Sequence, residues 1–145
     1  MANYVFLIFI AVTGGIAVTL QGQFLGLMDR HIGTLESVFI AYASGGLVIT
    51  LVMLFFRGGN LSSWRNAPWY AFTAGLLGLI IVGAISFTVP RMGLVPAFII
   101  MTATQFILAG LIDHFGLLGA VTRPLSFTHL AGILFVLLGV WMVIK

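Results

Sequence analysis

A small set of polar side chains lies inside, or at the rim of, long apolar stretches: Gln21, Tyr42, Ser44, Thr102 and Gln105 within them, and Glu36 and Asp113 near their ends. The first five offer amides and hydroxyls, which donate and accept hydrogen bonds without changing charge near neutral pH. Such groups suit a neutral, zwitterionic or weakly polar solute better than a permanent cation. Asp113, in Asp113-His114-Phe115-Gly116, and Glu36 are the carboxylates available for ion coupling. Each also has a structural alternative, Asp113 as a helix-end anchor and Glu36 as an acid in the positive first turn of a helix. No nucleophile, base and orienting group recur at a catalytic spacing, and no ATP-binding motif is present. With no cysteine there is no disulfide framework or thiolate site. Neither an enzyme nor a cofactor nor a metal is expected.

The elements that must position these groups are set by composition. With 61% hydrophobic and 6% charged residues and a mean hydropathy of +1.24, the chain lacks the polar surface that water demands. Its solvent is the lipid bilayer. The net charge of +3 comes from basic residues scattered one or two per connection, which argues against nucleic acid and for topology signals.

Charges divide the sequence into five uncharged runs, 1–28, 37–56, 66–90, 92–112 and 124–144, each near the roughly 20 residues needed to cross the hydrocarbon as a helix. Continuous apolarity excludes a barrel, whose strands alternate. The expectation is an all-α integral membrane protein forming a single transmembrane domain over 1–145, with helices at about 4–26, 35–56, 68–89, 94–116 and 125–144. In the first span, Gly22 and Gly26 form a small-xxx-small pair, and Gln21 and Gln23 can act as interhelical glue. Thr34 is placed to cap the second span, where Tyr42 and Gly46 share a face. Trp64, Trp69 and Tyr70 suit an interfacial belt.

In the third span, Gly75, Gly78, Val82 and Ser86 make a close-packing stripe, which Pro90 is expected to end. Pro90-Arg91-Met92-Gly93 then makes a tight turn into an antiparallel neighbour. In the fourth, Thr102, Gln105, Ala109 and Ile112 align, and Asp113 lies roughly 12 Å beyond Gln105 and about 80° around the axis, so the two are expected to flank one cavity. Gly132 and Gly139, one heptad apart, suggest a helix or subunit contact in the fifth, and His129 near its start is expected to be interfacial.

With five spans, Arg57, Arg65 and Arg123 fall on one side and Arg30, Arg91 and Lys145 on the other. Three against three gives no orientation preference. Two copies inserted in opposite directions would form an inverted-topology pair with a midplane site.

The run TQFILAGLIDHFGLLG, the Gln21 region, Ala43-Ser44-Gly45-Gly46 and the closing GILFVLLGVWMVIK resemble the YdcZ family, five-helix members of the drug/metabolite transporter superfamily. The most specific piece is Ile112 to Gly119, and the resemblance covers essentially the whole chain. It implies an EamA-like half-transporter of the bacterial inner membrane that moves a small solute as an antiparallel, dual-topology dimer of identical or paralogous chains. Unlike the small multidrug resistance proteins, which share that arrangement, the first span carries Gln21 in place of a Glu. An amide cannot take up and release a proton near neutral pH, so their coupling scheme finds no counterpart there. The expected function is secondary transport by alternating access. The alternatives are a small dual-topology channel, disfavoured because no filter-like loop or charged stripe is present, and a non-transporting membrane scaffold.

Overall fold

The computed structural model describes residues 4–56 and 61–145. Arg57, which enters the charge count, and the first part of the second connection, 57–60, lie outside the described residues. Among the described residues five helices are long and apolar enough to cross a membrane: α1 (Tyr4–Ile32), α2 (Thr34–Phe56), α3 (Ala74–Met92), α4 (Leu94–Phe115) and α5 (Phe127–Ile144). They group into two compact units, Met1–Arg91 and Met92–Lys145. Large apolar side chains such as Phe55, Phe127 and Phe135 stand exposed. In water they would be an aggregation surface, whereas in hydrocarbon they meet a solvent of their own kind.

The spans fall where expected, but their ends are set by backbone geometry rather than by charge. α1 does not stop at Gly26. It carries Asp29, Arg30 and His31 in its last turns and ends at Gly33, whose φ of 97° a side chain would resist. α2 begins at the next residue, so Thr34 lies inside the helix rather than capping it, and its hydroxyl donates to Asp29. Nor does Pro90 end the third span. It withholds one N–H in the final turn, and α3 runs on to Met92 before Gly93 breaks it with a φ of 93°. At the other end, Trp69–Thr73 form a 3-10 turn and the α-helix starts only at Ala74. α4 is closed by Gly116 at φ 62°, a left-handed cap whose N–H donates to Ile112.

In the first unit, α3 docks on α1 and α2 through small residues. A Cβ on Gly26 would lie 2.8 Å from Val89 Cγ1, so only glycine permits that approach. Just under one turn along α3 from Val89, the hydroxyls of Ser37 and Ser86, both fully buried, share a hydrogen bond of 2.6 Å across α2 and α3. Ser37 also donates to the Thr34 carbonyl. In the second unit, α4 and α5 run antiparallel: a Cβ on Gly110 would meet Leu125 and Ile133, and one on Gly139 would just touch Ile99. Gly132 has open space around it, so it makes no tight contact within the chain.

Gly26→Leu should therefore destabilise the first unit by about 1–3 kcal/mol through overpacking against the stiff Val89. Gly14→Leu, at a position with nothing within 4 Å, should be near neutral. Thermal unfolding of both variants in one detergent measures the difference, and equal midpoints would remove the α1–α3 contact.

Candidate functional site

Polar groups in the first unit are arranged in two layers. At the rim, Asp29 is 5% exposed and forms an ion pair of 3.1 Å with Arg91. Its other carboxylate oxygen accepts from the Thr34 hydroxyl. Arg91 Nη1 also donates to the Phe87 carbonyl at 2.6 Å, and its guanidinium lies 3.7 Å from the Phe87 ring centroid. One residue from each of α1, α2 and α3 thus closes a charge-neutral knot, which compensates a carboxylate at a membrane rim for lost hydration.

Eight residues down α1 from Asp29 and eight along α2 from Thr34, roughly 12 Å into the span, lies a cavity of about 510 Å³. Gln21 comes from α1, Tyr42, Gly45, Gly46 and Ile49 from α2, and Gly78, Ile81 and Val82 from α3. The volume is that of a small-molecule pocket. The Tyr42 hydroxyl rests on Gly78 so closely that any Cβ there would collide with it. The notch that receives the phenol is therefore on the neighbouring helix rather than at Gly46 of its own. Among the described residues neither the Gln21 amide nor the Tyr42 hydroxyl has a hydrogen-bond partner. Together they offer three donor hydrogens and two acceptor oxygens to a solute.

The remaining expected residues lie elsewhere. Ser44 is exposed, spends its hydroxyl on the Ala41 carbonyl and is absent from the lining of this cavity. Glu36 is exposed at the start of α2, where its carboxylate folds over Gly33 beside a shallow apolar depression. A second cavity, of about 550 Å³, lies between α4 and α5 and takes Ala109 and Asp113 but neither the half-buried Thr102 nor the exposed Gln105. Gln105 and Asp113 therefore do not flank one cavity, because the 80° between them directs them to different sides of α4.

The helix-end anchor at this rim is not the Asp113 carboxylate either. His114 Nδ1 accepts from Leu125 N–H, and the Asp113 main-chain carbonyl accepts from Arg123 N–H. His129 completes a capping box with Ser126 at the start of α5.

Sequence reasoning missed Asp29 as a structural centre. The available signal was that Asp29 and Arg91 carry opposite charges on connections at the same membrane side. Gly22 and Gly26 are both buried, and Trp64 and Trp69 are exposed in or beside short 3-10 turns.

A family model described as "Putative inner membrane exporter, YdcZ" matches residues 6–142. The chain belongs to the YdcZ family. No curated protein and no solved structure matches it significantly. Membership in this family, with five helices able to span a membrane among the described residues, supports a multi-pass inner-membrane protein with a transporter's role.

The close seat of Tyr42 on Gly78 predicts non-additivity. Gly78→Ala should lower the unfolding midpoint, because the methyl collides with the hydroxyl. In a Tyr42→Phe background it should be tolerated, since the ring carbon behind that hydroxyl lies at an ordinary 3.5 Å from the Cβ position. A double-mutant cycle should give a coupling of about 0.5–3 kcal/mol, and an additive result would place Tyr42 away from Gly78.

Proposed function

We propose that the chain exports a small neutral, zwitterionic or weakly polar solute by alternating access, as an antiparallel pair of chains, with Gln21 and Tyr42 as the groups that hold the solute. The observation that carries this reading is the cavity roughly 12 Å inside the span, with an amide and a phenol that have no hydrogen-bond partner among the described residues. An unpaired amide at that depth is costly in hydrocarbon, so it is retained for something that enters. The absence of titratable groups from the residues lining this cavity, other than the phenol, favours a solute without a permanent positive charge. Gln23 and Gln105 are exposed and unpaired on α1 and α4, which supports a second copy or a solute against those faces. The balanced basic count supports insertion in both orientations. The partner is the same chain or a paralogue.

Flux in proteoliposomes tests the reading. Gln21→Leu should cut flux about tenfold, the size of one lost hydrogen bond to substrate, while leaving the unfolding midpoint nearly unchanged because the amide holds no helix in place. A large fall in stability with normal flux among assembled molecules would make Gln21 interhelical glue. Saturable flux with counter-transport identifies a carrier, and linear current would show a channel.

Adding two Lys to the N-terminus should fix one orientation and abolish flux unless an oppositely biased copy is co-expressed. Full activity of the biased chain alone would overturn the antiparallel pair without touching the cavity assignment.

A further inference from the structure

The cavity of about 550 Å³ in the second unit contains none of the solute-holding groups proposed above and has a chemistry of its own. Its polar end is formed by Asp113 in the last turn of α4, Arg123 in the following connection, and Thr128 and His129 in the first turn of α5. Its apolar end is formed by Phe106, Gly132, Ile133 and Val136, one to two turns further into the span. From Asp113 to Phe106 the lining extends roughly 10 Å along α4.

Two features of this cavity point to a ligand. Asp113 and Arg123 line the same space, yet their side chains form no ion pair with each other and no hydrogen bond with any described residue. A carboxylate and a guanidinium that share a cavity and stay apart present separate binding points for a positive and a negative group. In addition, His129 Nδ1 accepts from Ser126 N–H in the capping box. That bond places the ring proton on Nε2, which is left to donate.

We infer that this cavity binds the headgroup of a zwitterionic phospholipid bearing a primary ammonium, with its phosphate on Arg123 and His129 and its ammonium on Asp113. Position selects lipid over a dissolved zwitterion. The charged end lies at the helix ends, where headgroups lie, and the apolar end lies in the hydrocarbon layer, where glycerol and the first acyl carbons follow. Gly132 keeps that apolar end open, since a Cβ there would meet nothing within 4 Å.

The test is lipid binding by the intact purified protein, measured by native mass spectrometry with phosphatidylethanolamine and with phosphatidylglycerol, which shares the phosphate and tails but has no ammonium. The ethanolamine lipid should bind about tenfold more tightly, the value of one charge-assisted hydrogen bond. Asp113→Asn should bring it down to the level of the glycerol lipid, and Arg123→Gln should weaken both. Gly132→Leu should weaken both without altering their ratio. None of the three replaced side chains holds the fold together, so unfolding midpoints should stay close to that of the unaltered chain. Equal affinity for the two lipids, or an ethanolamine preference that survives Asp113→Asn, would overturn the assignment. So would complete displacement of the lipid by free phosphoethanolamine at millimolar concentration, which would make this a site for a soluble zwitterion.

Discussion

A carboxylate near the end of a membrane-spanning helix must be neutralised, solvated or paired, and Asp29 is paired. Its two oxygens take Arg91 from the end of α3 and Thr34 from the start of α2, so one charge joins three helix ends. The rest of the first unit follows from that joint. With α3 held beside α1 at the rim, Gly26 meets Val89 one turn below, and the buried Ser37–Ser86 bond sets α2 against α3. Continuing down the same two helices, Val38 approaches Gly83 and Tyr42 reaches Gly78. The phenol is thereby turned toward the cavity that also receives Gln21. A cavity roughly 12 Å inside the span is thus shaped by helices that an ion pair joins at their ends.

The second unit solves the same problem with main-chain bonds. The connection after α4 is fastened by Leu125 N–H on the His114 ring and by Arg123 N–H on the Asp113 carbonyl, and α5 starts from the Ser126–His129 box. Because imidazoles and carbonyls do the fastening, the charged side chains of Asp113 and Arg123 are released from structural duty. In the first unit the opposite charges are consumed by the fold, and in the second they are available. This difference is invisible in composition, where each unit shows an Asp and an Arg near helix ends.

The spans were legible in the sequence because a bilayer imposes a length of uncharged, apolar chain that few other folds require. Their ends were less legible because charge marks the membrane rim and not the end of a helix. Asp29, Arg30 and His31 continue α1, and the break comes at Gly33, as Gly93 rather than Pro90 breaks α3. Spacing brought out Gln21 and Tyr42 separately, since each is a polar residue in an apolar run. It could not show that the phenol seats on a glycine of another helix, because i and i+4 neighbours can be read from a sequence and interhelical ones cannot. Ser44 failed for a local reason, its hydroxyl being satisfied by the preceding turn. The capping box at Ser126 escaped notice because histidine occupies the place where Glu or Gln is usual.

What the chain leaves unsatisfied is more informative than what it satisfies. Thr13, Thr19, Thr50, Thr88 and Thr104 each donate to the carbonyl four residues back, so these hydroxyls can face lipid at little cost. Ser37 and Ser86 satisfy each other, each Asp29 oxygen accepts one bond, and both ring-bonded histidines hold backbone N–H groups. Against that thorough pairing, Gln21 and Tyr42 stand open in one cavity, and Asp113 and Arg123 in another. Within hydrocarbon, which supplies no hydrogen bonds, an open polar group such as the Gln21 amide costs several kcal/mol, whereas Asp113 and Arg123 lie at helix ends, where water and headgroups can solvate them. Among the described residues, Gln23 in the first unit and Gln105 in the second are likewise open, outside both cavities, and an amide facing hydrocarbon carries that same cost.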